Sequence, residues 1–104
     1  MTKILNLKSY EKSSLMDALI AVSLYSNEED KVIISYKKFA NKFLQEACVI
    51  NSKRDLLLGI KALYFTIIFY SESESKFNMR RVAKYKKTLE TLTLAKYVVF
   101  SHTA

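Results

Sequence analysis

The chain contains no proline, no tryptophan and a single glycine in 104 residues. Sheet-rich domains of this size normally need glycine and proline at their turns, so this scarcity argues against an all-β architecture. Half of the residues are apolar, which is enough to bury one modest core and argues against disorder. The composition therefore predicts one all-α domain over residues 1–104.

Residues that carry out catalysis or bind metals are almost missing as well. Cys48 is the one cysteine, so no intrachain disulfide can form, and we interpret it as a buried thiol. His102 is the one histidine, and we interpret it as an exposed tail residue without a second ligand nearby. The sequence has no zinc cluster and no calcium loop, and one glycine cannot build a phosphate-binding loop. These absences predict a binding protein that needs no cofactor, and not an enzyme.

Long apolar runs are absent too. The longest covers 56–70 and is interrupted by Lys61, so it falls short of the roughly 20 apolar residues that span a bilayer. The N-terminus has neither a sustained apolar stretch nor a small-residue cleavage site, so we predict no secretory signal. A lone thiol is typical of a reducing compartment. We therefore expect a cytoplasmic protein.

Two start signals indicate helices in the first half of the chain. Ser14-x-x-Asp17 can form a capping box and predicts a helix over 13–25. Asn27 precedes three acidic residues, which the positive end of a helix dipole favours, and it predicts a helix over 28–48. The first helix is apolar on most sides, so we expect it at the centre of the fold. The second has one apolar stripe, formed by Val32, Tyr36, Phe39, Phe43 and Ala47.

Two more helices are predicted in the second half. Ser52-x-x-Asp55 predicts a helix over 53–70, although its end, 63–70, would also suit a buried strand. After a polar link over 71–78, Asn78 predicts a fourth helix over 79–100. The inward stripe of this helix is Val82, Tyr85, Leu89, Leu92, Ala95 and Val99. Four amphipathic segments joined by short links predict an antiparallel four-helix bundle.

Positive charge is concentrated in the fourth predicted helix. The chain has a net charge of +7, and residues 76–96 hold seven basic residues against one acid, Glu90. A basic helix attracts phosphates or an acidic protein surface, although a solvated face without a partner would show the same pattern. The candidate partner-binding residues are Lys76, Arg80, Arg81, Lys84 and Lys87.

Two phosphate-bearing partners fit this charge. A DNA-recognition helix would follow a tight turn, whereas the predicted link 71–78 is long and contains Glu72 and Glu74. The alternative interpretation is therefore a small basic helical protein that binds nucleic acid or has a regulatory role. An anionic membrane surface attracts each nearby basic residue by roughly 1 kcal/mol. That attraction predicts weak, reversible association with the inner face of the membrane.

A more specific hypothesis comes from the segment Leu58-Gly59-Ile60-x-x-Leu63-Tyr64-Phe65-Thr66. It leads through a polar link to a basic helix that contains Tyr85 and Leu89. This layout resembles the small immunity proteins of Gram-positive bacteria, which protect a producer from its own class II bacteriocin. The resemblance covers the whole chain as architecture but only part of it as residues, and 1–50 carry no sharp family signature.

The resemblance implies a basic, cytoplasmic four-helix bundle that acts by binding. Family members recognise the bacteriocin-engaged receptor from the cytoplasmic side, often the membrane part of a mannose phosphotransferase system, and block the lethal pore. Their C-terminal half tends to decide which bacteriocin is resisted. Carried onto this chain, the resemblance points to the link 71–78, to Arg80, Arg81, Lys84 and Lys87, and to the tail after Phe100.

Overall fold

The computed structural model describes residues 3–72 and 75–100. Its elements are β1 (Leu5–Asn6), α1 (Ser9–Tyr25), α2 (Asp30–Gln45), β2 (Val49–Ile50), α3 (Lys53–Ser71) and α4 (Lys76–Val98). Most of the described residues are helical, and the four helices pack against one another. The predicted all-α, four-helix fold is therefore confirmed. None of the described helices is long and apolar enough to cross a membrane.

Helix α1 begins at Ser9, about one turn before the predicted start. The hydroxyl of Ser14 does not cap the helix, because it donates to the backbone oxygen of Tyr10 at 2.7 Å from within the helix. The start is capped by Glu11 instead, whose Oε1 accepts a hydrogen bond from the backbone N–H of Lys8 at 2.8 Å. This bond satisfies one of the N–H groups that a helix start leaves without an intrahelical partner.

Helix α2 is shorter than predicted at both ends. It begins at Asp30, so Asn27 lies before the helix and does not cap it. It ends at Gln45, and Ala47 and Cys48 then adopt left-handed φ angles of 60° and 56°. A left-handed backbone cannot continue a right-handed helix, which is why the predicted extension to residue 48 is wrong.

The turn after α2 leads into a short sheet that the sequence analysis did not predict. Strands β1 and β2 pair in antiparallel fashion, with Leu5 opposite Ile50 and Asn6 opposite Val49. Ala47 is exposed and does not belong to the apolar stripe of α2, and the Cys48 side chain is half-buried where a buried thiol was expected. The sheet ties the segment before α1 to the segment after α2.

The predicted start of α3 is confirmed, because Ser52 Oγ accepts a hydrogen bond from the backbone N–H of Asp55 at 3.1 Å. Segment 63–70 is helical, so the strand alternative is wrong. Helix α4 begins at Lys76 with Ser75 at its N-cap position, and Asn78 lies inside its first turn. The link between α3 and α4 is therefore 72–75, half as long as predicted.

Helix α1 lies at the centre of the fold, as its apolar surface predicted, and packs against α2, α3 and α4. The rings of Tyr25 and Phe69 stack with centroids 4.9 Å apart, so the C-terminal ends of α1 and α3 lie together. Glu11 accepts a hydrogen bond from the Thr91 hydroxyl, so the start of α1 lies beside the C-terminal half of α4. Helices α1 and α3 are therefore parallel, and α4 is antiparallel to both.

Helix α2 packs mainly on α1 and only slightly on α3. This departs from the expectation that all sequential helices lie side by side. The reason is the connection 46–52, whose strand β2 pairs with β1 and holds the end of α2 close to the start of α1. One ion pair joins α2 to α3, between Lys42 Nζ and Asp55 Oδ2 at 2.9 Å.

Gly59 lies where α1, α3 and α4 approach one another. A Cβ atom added there would lie 3.1 Å from Leu15 Cδ1 and 3.2 Å from Leu92 Cδ1, so the missing side chain permits close packing. The inward stripe predicted for α4 is correct, since four of its six residues are buried and two are half-buried. The largest buried side chains include Leu15, Leu19, Tyr36, Phe43, Leu56, Leu63, Tyr85 and Leu92.

Candidate binding cleft between α1 and α4

The structure separates the five candidate partner-binding residues into two groups. Arg80, Arg81 and Lys84 line a cleft between α1 and the N-terminal half of α4. Lys76 and Lys87 are exposed on α4 but do not line this cleft. The predicted cluster is thus brought together only in part.

The cleft has a volume of about 420 Å³ and a positive lining. Three cations from α4 face one carboxylate from α1. Within residues 3–72 and 75–100, the ion pairs at 4.0 Å or less are Lys31–Glu29 and Lys42–Asp55, so no described carboxylate neutralises the cleft cations at that range. The lining residues are Tyr10, Ser13, Ser14, Asp17, Phe77, Arg80, Arg81, Lys84 and Tyr85.

Aromatic rings hold Arg81 in place at the edge of the cleft. Its Cζ atom lies 5.0 Å from the ring centroid of Tyr70 and 4.5 Å from that of Phe77. Both distances are within the range of attractive cation–π contacts. Arg81 is therefore positioned before any ligand arrives, whereas Arg80 and Lys84 are exposed side chains on the same helix.

The floor of the cleft is a hydrogen-bonded pair that joins the two helices. The hydroxyl of Tyr85 donates to Asp17 Oδ2 at 3.2 Å, and Tyr85 is only 1% exposed. Burial, and then the neighbouring Asp17 carboxylate, raises the pKa of Tyr85 above its usual range. The Asp17 carboxylate already accepts this bond, whereas the cations at the mouth of the cleft have no described carboxylate within 4.0 Å. These cations are therefore the groups that can bind a charged ligand.

An exposed apolar surface adjoins the cleft. A second hollow of about 160 Å³ shares Asp17, Arg81 and Tyr85 with the cleft and is also lined by Leu24 and Tyr25. Tyr25 stacks on Phe69, and Phe77 lies beneath Arg81. We call these four exposed side chains the apolar rim: Leu24, Tyr25, Phe69 and Phe77.

Comparison with protein-family models, with curated proteins and with solved structures finds no match. The resemblance to bacteriocin immunity proteins therefore depends on the residues quoted for it in the sequence.

The sequence identified the cations of the cleft but not the side chains that complete it. Phe77 fell in the predicted link, and Tyr10 preceded the predicted start of the first helix. Asp17 of α1 was interpreted as part of a capping box, whereas its carboxylate accepts a hydrogen bond from Tyr85 of α4. Periodicity predicted the outward position of the basic residues on α4 and the inward position of Tyr85.

The remaining candidates from the sequence are Cys48, His102 and the tail after Phe100. Cys48 lies in the turn after α2 and does not line the cleft. His102 and the tail after Phe100 fall outside the described residues. Within the part of the chain that the structure describes, no group of three or more His, Cys, Asp or Glu side chains could hold a metal ion.

The raised pKa of Tyr85 predicts a loss of stability at alkaline pH. Tyr85 ionises near its ordinary pKa of 10.0 in the unfolded chain but stays protonated in the folded protein. The unfolded state therefore loses its proton first, and the free energy of unfolding falls as the pH rises above about 10. In urea titrations at neutral and alkaline pH, the Tyr85→Phe variant should show a smaller fall. An equal fall in both proteins would contradict this role of Tyr85.

Proposed function

We propose that this protein is an immunity protein that protects a bacterium from a class II bacteriocin. It binds the bacteriocin-engaged receptor from the cytoplasmic side, for example the membrane subunits of a mannose phosphotransferase system. The observation that carries the proposal is the cleft, where Arg80, Arg81 and Lys84 are gathered without a described carboxylate within 4 Å. Uncompensated cations on one surface favour an acidic or phosphate-bearing partner.

The four-helix fold and the basic α4 also support the proposal, because both agree with what the resemblance implies. The mechanism is binding alone. The packed helices hold Arg81 and the apolar rim in fixed positions, and the exposed side chains of Arg80 and Lys84 adjust to the partner. Lys76 and Lys87 extend the positive surface along α4 and steer the encounter with the partner.

Duplex nucleic acid is the second candidate, because phosphates attract the same cations. The link 72–75 is short enough for a helix-turn-helix, but the packing of α3 and α4 is not of that kind. Tyr70 contacts Arg81 near the link, and Gly59 approaches Leu92 far from it, so the two helices lie side by side along their length. The helices of a helix-turn-helix cross at about 90–120° instead.

The proposal is tested by the survival of a bacteriocin-sensitive Gram-positive strain that expresses the protein. We expect resistance to one or a few class II bacteriocins, compared with an empty vector. The variant Arg80→Glu/Lys84→Glu should lose this resistance, because it reverses two charges at the mouth of the cleft. The control Lys37→Glu/Lys38→Glu makes the same change of charge on two exposed residues of α2 and should still protect.

Two results would contradict the proposal. One is full protection by the Arg80→Glu/Lys84→Glu variant. The other is sensitivity to every bacteriocin in the panel while circular dichroism shows that the expressed protein is folded. In that case fluorescence anisotropy with duplex DNA at low salt tests the second candidate, which requires binding that weakens steeply as salt is added.

A further inference from the structure

We infer that the cleft between α1 and α4 binds the phosphate group of an anionic phospholipid, with the apolar rim inserted among the lipid headgroups. This inference goes beyond the proposed function. It is tested on purified protein and does not require that the protein confer immunity. Three observations support it: the cations of the cleft, the exposed apolar rim next to them, and a first turn of α4 that contains no acidic residue.

The cleft has the donors that a phosphate group needs. A guanidinium group presents several N–H donors in a planar fork that matches phosphate oxygens, and two arginines line the cleft. Lys84 adds a third cation, and Ser13 is an exposed residue whose hydroxyl can donate from the α1 side. A volume of about 420 Å³ also lies within the ordinary range for small-molecule sites.

The apolar rim indicates that the phosphate belongs to a lipid. Leu24 is 65% exposed and Phe77 is 64% exposed, beside cations that are themselves at the surface. A soluble phosphate would be bound by the cations alone and would leave these side chains in water. Aromatic and aliphatic side chains next to basic residues are typical of surfaces that lie in the interface of an anionic membrane.

Ring contacts hold the aromatic side chains of the rim in place. Tyr25 from α1 and Phe69 from α3 stack with their ring planes 9° apart. Phe69 also packs edge-on against Tyr70, whose ring contacts Arg81. Ring contacts therefore connect the ends of α1 and α3 to Arg81 in the cleft. Arg81 also contacts the ring of Phe77 at the start of α4.

The N-terminal end of α4 adds to the positive potential on this side. Its first turn contains no acidic residue, so the positive end of the helix dipole is not neutralised within that turn. The described carboxylate that lines the cleft, Asp17, accepts the hydrogen bond from Tyr85. The face formed by α1 and α4 therefore carries its positive charge next to the apolar rim.

The test is co-sedimentation of the purified protein with vesicles of phosphatidylglycerol and phosphatidylcholine, compared with phosphatidylcholine alone. We expect binding only when phosphatidylglycerol is present. The Arg80→Gln/Lys84→Gln variant should bind about 30-fold more weakly, since each basic residue near an anionic leaflet contributes a factor of about five. The control Lys38→Gln/Lys61→Gln removes the same charge from exposed residues of α2 and α3 outside the cleft, and it should lose less than about fivefold.

A second pair of variants tests the rim. Leu24→Ser removes an apolar side chain of the rim, and we expect it to weaken vesicle binding. Leu94→Ser changes a leucine of similar exposure, 62%, in the C-terminal half of α4, and it should bind as the unmodified protein does. Circular dichroism checks that every variant keeps the helicity of the unmodified protein.

Three results would overturn the inference. Equal losses in the two charge pairs would assign the binding to diffuse attraction and not to the cleft. Equal binding by the Leu24→Ser and Leu94→Ser variants would remove the rim from the site. Chemical-shift changes at the cleft with glycerol phosphate, without vesicle binding, would assign the cleft to a soluble phosphate. Vesicle binding without bacteriocin resistance would support lipid binding and contradict the proposed immunity function. Resistance without vesicle binding would support the immunity function and contradict lipid binding.

Discussion

Replacing Phe43 by alanine should lower the free energy of unfolding by about 3–5 kcal/mol. Phe43 is fully buried in the last turn of α2, and its ring packs edge-on against Phe39 with centroids 5.9 Å apart. Truncation removes the transfer free energy of the ring and leaves a cavity that neighbouring side chains fill only in part. Domains of this size are stable by only about 5–15 kcal/mol, so the loss is a large fraction of the total.

The adjacent residue provides a matched control. Leu44 is 60% exposed on the same helix turn, so Leu44→Ala should change the free energy of unfolding by no more than about 0.5 kcal/mol. Urea denaturation followed by circular dichroism measures both variants. A similar small loss in the two variants would contradict the packing of α2 described above.

Local sequence signals predicted which segments are helical better than where the helices begin. Ser52-x-x-Asp55 and Ser14-x-x-Asp17 have the same spacing, yet only Ser52 caps a helix. The hydroxyl of Ser14 donates to a carbonyl one turn earlier, which serine can do anywhere inside a helix. A serine and an acid at this spacing therefore fit both a helix start and a helix interior. Tertiary packing decides between the two.

The end of α2 has no signal in the sequence, because the residues that turn the chain are not glycines. Left-handed backbone at Ala47 and Cys48 costs roughly 1–2 kcal/mol per residue. The pairing of β1 with β2 and the complete burial of Ile50 offset this cost. Both contacts involve a segment more than forty residues away along the chain (Leu5 pairs with Ile50). Periodicity within a short window cannot reveal such a contact.

The same limit applies to the cleft. The apolar stripe of α4 predicted correctly that its basic residues face outward, because periodicity fixes which side of a helix is buried. It did not predict that Asp17 lies beside Tyr85, since that contact depends on which helix packs next to α4. Half of the site could thus be derived from one helix. The α1 half required the three-dimensional arrangement.

Replacing Glu11 by alanine should lower the free energy of unfolding by about 2–3 kcal/mol. Glu11 is 3% exposed, and its carboxylate accepts hydrogen bonds from the backbone N–H of Lys8 and from the hydroxyl of Thr91. A hydrogen bond to a charged group contributes about 1.5–3 kcal/mol. Because Lys8 is exposed, water can replace the carboxylate at its N–H, so the expected loss is close to that of one such bond. Urea denaturation measures the loss.

Two further variants separate the hydrogen bonds from the volume of the side chain. Glu11→Gln keeps an oxygen that can accept from Lys8 and a donor for Thr91, so it should recover most of the stability lost in the alanine variant. Combined with Thr91→Val in a double-mutant cycle, Glu11→Ala should show a coupling of at least about 1 kcal/mol, and additive losses would contradict a direct bond. Because this bond fixes α1 against α4, Glu11→Ala should also loosen the cleft and weaken vesicle binding without removing any of its cations.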